Sequence, residues 1–85
     1  MIYPSPAIIT RPLPATLTRR PRIRATSARG SITIPYDHAL DIAENHQAAL
    51  EAYCERYDLI ADQYIAGRTP DGLVYVLIPG EQSIR

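Results

Sequence analysis

The sequence predicts an α+β domain in which a small antiparallel sheet, with the core order β-β-α-β-β, carries one helix on a face. Three observations lead to this fold class. Two segments before residue 36 alternate polar and apolar side chains, which is the period of strands. A segment with the period of an amphipathic helix follows, and two more apolar segments joined by a turn sequence come after it. With 85 residues, the chain is long enough for one domain and too short for two.

The first 21 residues predict an extended arm rich in proline and arginine. Five of the eight prolines lie there, at positions 4, 6, 12, 14 and 21, so no helix fits between them. Two short runs in this arm, 7–10 and 15–18, are expected as edge strands, where proline is tolerated. The arm then either lies on the domain or reaches a neighbouring molecule.

A β-hairpin is predicted next. Segments 22–26 and 31–34 both alternate, and a link of four residues that includes a glycine joins them. In the first strand Arg22 and Arg24 share one face, and apolar residues take the other. These two arginines are therefore expected to point away from the core.

Residues 41–57 predict the helix. Asp41 and Glu44 have the spacing of a capping box, in which each side chain binds a main-chain N–H of the first turn. Apolar positions then recur along one stripe, and acidic residues lie on the other side. The predicted inner stripe consists of Ile42, Ala49, Leu50, Tyr53 and Tyr57.

Two strands are predicted after the helix. Residues 59–66 form the first, 68–72 form a tight turn with Pro and Asp-Gly in favoured places, and 73–78 form the second. The last of these is nearly continuous in apolar residues, which suits a central position. The predicted domain is thus 22–80, and residues 81–85 form a loose tail.

Composition argues against a membrane protein and a disulfide framework. No segment approaches the roughly 20 apolar residues that a membrane span needs. The single cysteine permits neither an internal disulfide nor a Cys-Cys zinc motif. We therefore expect a cytoplasmic protein that does not contact a membrane.

Candidate catalytic residues are few and isolated. His38 lies between two aspartates, but its segment lacks the three or four ligands of a metal site, so we interpret it as a bystander beside helix-capping acids. His46 and Cys54 are separated by about 12 Å of helix rise, too far for a catalytic pair. Phosphate-binding glycine loops, nucleophile elbows and dinucleotide fingerprints are absent from the sequence. We expect no enzyme, no cofactor and no metal.

Charge is divided between the two parts of the chain. Six arginines and no acid precede Asp37, a charge of +6, whereas three arginines and nine acids follow from there, a charge of −6. All nine basic residues are arginine, which fits either bidentate contacts to anions or the codon usage of a GC-rich genome. The chain therefore has a basic part and an acidic part that cancel.

The basic part concentrates in Arg19, Arg20, Arg22 and Arg24. Arginines on an arm that leads into a β-ribbon can neutralise phosphates, so these four are candidates for binding nucleic acid or an acidic partner. Two other interpretations remain open. The arginines are either the solvated charges of an edge strand or an arm folded back on the chain's own acidic part.

The acidic part concentrates on the outer side of the helix and just beyond it. Such a strip can meet a basic groove of another protein, and a merely solvated helix has the same composition. The candidate partner-binding residues are Glu44, Glu51, Glu55, Asp58 and Asp62.

The sequence also resembles short uncharacterised proteins of phages and integrative elements. The residues that carry the resemblance are Ile32-Thr33-Ile34-Pro35-Tyr36-Asp37-His38-Ala39-Leu40, Glu44-Asn45-His46, Ala48-Ala49, Tyr53-Cys54, Pro70-Asp71-Gly72 and Val74-Tyr75-Val76. Anti-CRISPR and other anti-defence inhibitors belong to that pool, and they bind a large host complex without cofactors. The resemblance thus implies a binding protein and no particular site residue.

Three functional hypotheses follow. The first is a non-enzymatic interaction protein, such as a mobile-element inhibitor that blocks a host nucleic-acid-handling complex, CRISPR-Cas or another defence system, through its acidic helix face or its arm. The second is a small nucleic-acid-binding protein that uses the four arginines. The third is a self-assembling structural protein, for example a homodimer, that exchanges the arm between copies.

Overall fold

The computed structural model describes residues 7–60 and 63–78, which form one five-stranded antiparallel sheet with a helix on one face. The order of the strands across the sheet is β3-β2-β1-β5-β4. The α+β class, with one helix on an antiparallel sheet, is confirmed. The elements are β1 (Ala7–Leu13), β2 (Arg22–Ser27), β3 (Gly30–Pro35), α1 (Ile42–Tyr57), β4 (Tyr64–Arg68) and β5 (Leu73–Leu77).

The strand that the predicted order lacked is β1, which lies at the centre of the sheet between β2 and β5. Its residues Ile8 and Thr10 are fully buried. The expectation of an edge strand at 7–10 is therefore wrong, and residues 7–13 belong to the sheet instead of an arm. The expected strand at 15–18 is not formed either, because Thr16 and Arg19 close a turn there, with Thr16 N donating to Arg19 O at 2.9 Å.

Proline is tolerated in this central strand because of where it lies. Pairing between β1 and β5 ends at Thr10 and Leu73, whereas pairing between β1 and β2 continues to Leu13. Pro12 thus lies where β1 has a neighbour on one side only. A missing N–H costs little at such a local edge.

Both predicted hairpins are present, with different bounds. The strands β2 and β3 are joined by the two residues Ala28 and Arg29, a shorter link than expected. The strand β4 starts at Tyr64 instead of residue 59, whereas the predicted turn after it forms, with Thr69 N donating to Gly72 O at 2.9 Å. As predicted, β5 is an interior strand.

The helix has its predicted extent and cap. Glu44 N donates to Asp41 Oδ1 at 2.7 Å, and Asp41 N donates to Glu44 Oε1 at 2.9 Å, which completes the capping box. The helix ends at Tyr57, and its C-cap residue Asp58 has a left-handed φ of 58°. Among the residues described, no helix has the length and apolar character that a membrane crossing needs.

The core lies between α1 and the sheet, where the helix contacts β1, β2 and β3. One residue of the predicted inner stripe is wrong, because Ile42 is 69% exposed. The buried position of the first turn belongs to Asn45, whose amide donates to Asp37 O at 2.9 Å and to Asp41 O at 3.1 Å. The buried apolar residues are Ile8, Ile23, Ala25, Ala49, Leu50, Tyr53, Cys54, Tyr75 and Leu77.

Candidate functional site

The sheet has one face that α1 does not cover. Side chains alternate between the two faces along each strand. Ile8, Ile23 and Tyr75 are buried in the core on the side of the sheet that carries the helix, so the residue next to each of them in its strand points to the other side. We call this second face the open face, and it carries Ile9, Arg11, Arg22, Arg24, Thr26, Ser31, Thr33, Ile65, Val74 and Val76.

A row of polar residues crosses the open face from β1 to β3. Arg11 lies directly opposite Arg24, which in turn lies opposite Thr33. The Nε atom of Arg24 donates to Thr33 Oγ1 at 3.4 Å. Arg22 lies two residues before Arg24 and therefore on the same face. Three guanidinium groups from two adjacent strands are thus brought to one surface.

Arg11 was not among the arginines that sequence reasoning selected. The proline at position 12 favours an arm or an edge strand. The sequence therefore did not predict which strand lies beside Arg11. The signal that was available is the alternation of Ile8 and Thr10 with Ile9 and Arg11. Arg11 lies opposite Arg24 because of the register between β1 and β2. Local sequence patterns do not predict that register.

Like charges that lie directly opposite each other on a sheet are destabilising. Within residues 7–60 and 63–78, no arginine nitrogen lies within 4.0 Å of a carboxylate oxygen. The arginine side chains bind hydroxyl and main-chain oxygens instead: Arg24 binds Thr33, Arg22 Nε donates to Arg20 O at 3.3 Å, and Arg29 Nη1 donates to Tyr57 O at 2.9 Å. In the part of the chain that is described, the arginines of the open face therefore form no direct ion pair with a carboxylate.

The two remaining predicted arginines lie beside this face. Arg19 and Arg20 are exposed in the loop between β1 and β2. Arg19 N donates to Thr16 Oγ1 at 3.1 Å, and the carbonyl of Arg20 accepts from Arg22. The predicted cluster is therefore divided between a loop and a strand that adjoin each other.

A shallow depression of about 390 Å³ borders the arginine row. One wall is the turn between β4 and β5, which Gly72 N closes by donating to Thr69 Oγ1 at 2.8 Å. A side chain at Gly72 would collide with the main-chain oxygen of Thr10, so this turn lies directly against β1. Asp71 is the acid on the rim. The lining residues are Ile9, Arg11, Arg24, Thr26, Thr69, Pro70 and Asp71.

The other half of the open face is apolar. Ile9 is 47% exposed and Ile65 is 63% exposed. Val74 lies opposite Ile9, and Val76 lies opposite Ile65, so the four side chains are neighbours across β1, β5 and β4. The open face thus has a cationic half over β1 and β2 and an apolar half over β5 and β4.

The tyrosines of the described residues all lie on the helix side of the sheet. Tyr53 and Tyr75 are core residues, and Tyr36, Tyr57 and Tyr64 pack against that core. Rings pair within this set, for example Tyr64 and Tyr75 at 5.3 Å between centroids. No described tyrosine is therefore offered to a ligand on the open face.

The predicted acidic strip is divided by the structure. Glu44 is engaged at the helix start in the capping box, about 10 Å of rise before Glu51. Glu51 and Glu55 are exposed one turn apart, and Asp58 is the C-cap residue of the helix. The fifth predicted residue, Asp62, lies outside the described residues.

The three candidate catalytic residues considered from the sequence, His38, His46 and Cys54, do not form a common site. His46 is buried with its Nδ1 atom 2.6 Å from Thr10 Oγ1, and burial lowers the pKa of its imidazole. Cys54 is buried, and burial together with the charge of Glu51 raises the pKa of its thiol. His38 is exposed beside the ring of Tyr36. Within the ranges 7–60 and 63–78, no three His, Cys, Asp or Glu residues are grouped so that they could hold a metal ion.

Comparison with known proteins finds no family model, no curated protein and no solved structure that matches this chain. The resemblance to phage and integrative-element proteins stays a hypothesis. The best guide to function is therefore the open face, with its opposed arginines.

Proposed function

We propose that this protein is a non-enzymatic binding protein whose open face holds nucleic acid by its phosphate groups. The single observation that carries the proposal is the opposition of Arg11 and Arg24 without a carboxylate partner among the described residues. Such a pair raises the free energy of the isolated protein. A phosphate between the two guanidinium groups would turn that repulsion into attraction for both.

The neighbouring groups suit phosphate as well. A guanidinium group presents several N–H donors in a plane, which match the oxygens of a phosphate better than an ammonium group does. The hydroxyl groups of Thr26, Ser31 and Thr33 lie beside the arginines, and hydroxyl donors are common phosphate ligands. Arg22 and the loop residues Arg19 and Arg20 extend the positive surface.

The test is the binding of a fluorescently labelled 20-base-pair DNA duplex, followed by anisotropy over a series of salt concentrations. We expect the affinity to fall with salt, and the slope of log K against log salt to change by about 0.9 for each phosphate that a variant no longer neutralises. Arg24→Ala should lower both the affinity and the steepness of the slope.

The matched control is Arg68→Ala, which removes the same charge from the helix side of the sheet, where Arg68 lies opposite Leu73. This variant should bind nearly as the parent does. Equal binding by both variants would contradict a role for the open face.

A second candidate is the inhibitor hypothesis, in which the acidic helix side meets a basic surface of a host nucleic-acid-handling complex, CRISPR-Cas or another defence system. The supporting observation is that Glu51 and Glu55 are exposed one turn apart near the C-terminal end of α1. Like charges at this spacing, and acids near a helix C-terminus, are both unfavourable. A basic partner would remove both penalties.

This candidate is tested in cells that carry a defence system directed at a phage. Expression of the protein should raise plaque formation, and the double variant Glu51→Gln with Glu55→Gln should abolish the effect. Asp71→Asn, which removes an acid from the opposite side of the molecule, should retain it. Unchanged plaque numbers with the parent protein would rule out inhibition of that defence system.

A further inference from the structure

We infer that the open face takes the backbone of a double-stranded nucleic acid in preference to a single strand, and does not read its bases. The inference rests on the proposed function and names the form of nucleic acid that the same surface binds. Three observations support it: the side chains that the face lacks, those that it has, and the rigidity with which they are held.

The face lacks aromatic side chains among its described residues. Proteins that bind single strands without sequence preference stack the bases on aromatic rings. This chain has no Phe and no Trp, and its five described tyrosines, 36, 53, 57, 64 and 75, all lie in or against the core on the helix side. On the open face a single strand would therefore gain phosphate contacts and lose the stacking that normally holds it.

The polar side chains on the face are suited to phosphates. Arg24 uses its Nε atom on Thr33, which leaves its terminal N–H groups for a ligand. Arg11 and Arg24 have Cα atoms about 4.5 to 5.5 Å apart, as directly opposed residues do. Arg22 lies about 7 Å farther along the strand. These groups contact the backbone of any sequence, because phosphates carry no base identity.

The arginines project from hydrogen-bonded strands, so the spacing of their Cα atoms is fixed before a ligand arrives. A duplex presents its phosphates at fixed positions and at high density, one charge per about 1.7 Å of axis. A single strand has half that density and must be ordered on binding. Without stacking to offset the ordering, charge density decides the preference, and it favours the duplex.

Asp71 provides an internal check on this site. It stands on the rim of the depression beside Arg11 and Arg24 and would repel a phosphate there. Asp71→Asn should therefore strengthen duplex binding, whereas Arg24→Ala should weaken it.

The experiment compares the full chain with three probes of equal length and one sequence: duplex DNA, duplex RNA and single-stranded DNA. The supporting result is a duplex bound about tenfold more tightly than the single strand. Binding should be weakened by Arg24→Ala, strengthened by Asp71→Asn and unaffected by scrambling the sequence. The two duplexes share the phosphate chemistry, and their comparison identifies which is the ligand.

Two results would overturn the inference, and they are distinguishable. A single strand bound as tightly as the duplexes, with binding abolished in Arg24→Ala, removes the preference and leaves the proposed function in place. Absence of binding to all three probes at low salt removes the proposed function itself. Circular dichroism of each variant establishes that weaker binding is not caused by unfolding.

Discussion

Thr10 and His46 join the central strand to the helix through a contact of 2.6 Å between Oγ1 and Nδ1. Both residues are buried: Thr10 is completely buried, and His46 is 4% exposed. The same hydroxyl lies 3.4 Å from Leu73 O, so the contact with the imidazole is the shorter one. This pair is the polar link between β1 and α1, and it makes two tests possible.

The first test removes the hydroxyl. Thr10→Val keeps the shape of the side chain and leaves the Nδ1 atom of His46 buried without its partner, which costs about 1 to 3 kcal/mol of unfolding free energy. Urea denaturation followed by circular dichroism measures the change. Thr10→Ser retains the hydroxyl and should be destabilised less. If Thr10→Val is as stable as the parent protein, the hydrogen bond to His46 contributes nothing to stability.

The second test concerns pH. Burial lowers the pKa of His46, so the folded protein binds its proton less readily than the unfolded chain does. The unfolding free energy should therefore fall as the pH drops below the ordinary histidine value of about 6.5, and continue to fall until the lowered pKa is reached. Urea titrations from pH 7.5 to 5.5 measure this. His46→Gln, which removes the titrating imidazole, should abolish this dependence on pH.

A third test concerns the turn of the first hairpin. Gly30 has φ of +143°, and a Cβ there would lie 2.5 Å from Tyr57 Oη. Gly30→Ala should thus cost about 1 to 3 kcal/mol of unfolding free energy. Gly67→Ala is the control, because its Cβ would meet Val74 at 3.4 Å without a positive φ.

A double variant separates the two causes at Gly30. Adding Tyr57→Phe removes the hydroxyl from the collision and leaves the backbone strain. A partial recovery of stability is expected. Full recovery would mean that strain at φ +143° contributes nothing.

A fourth test addresses arm exchange and the homodimer that it would produce. Because β1 is the central strand, removing it would remove the middle of the sheet, so the test instead shortens residues 14–21, the loop between β1 and β2 that would be the hinge of an exchange. We expect the intact chain to have the mass of one copy by light scattering, and deletion of residues 15–20 to produce a dimer. The link that remains between Leu13 and Arg22 is Pro14-Pro21, and proline cannot adopt the positive φ of a two-residue hairpin turn, so β1 cannot fold back on its own chain. A dimer of the intact chain that persists on dilution would support the self-assembly hypothesis instead.

Local chemistry made several elements predictable from the sequence. Asp41 and Glu44 satisfy the first turn of the helix from within four residues, and Thr69 and Gly72 close their turn within the same span. No distant part of the chain has to be known for either feature. The predicted helix and the predicted turn between β4 and β5 are confirmed for this reason.

Features that depend on distant residues were missed. Pro12 favours an edge strand on local grounds. A central β1 is compatible with this proline because pairing with β5 ends at Thr10, before Pro12 is reached. In the first turn of the helix Asn45 is buried and Ile42 is exposed. The buried amide of Asn45 donates to main-chain oxygens of the preceding segment, which Ile42 could not do. Arg11 belongs to the site because β1 pairs with β2, a contact between strands that the sequence did not predict.

The position of β1 has a consequence for how the molecule is made. The strand at residues 7–13 needs β5, at residues 73–77, before both of its sides are paired. Each hairpin can form early from residues that are close in sequence. The complete sheet forms only when β1 pairs with β5, the pairing with the largest separation in sequence among the described strands. Contacts of such long range slow folding. A nascent chain that has emerged only through α1 would therefore display β1, and Arg11 with it, on a sheet that still lacks one side.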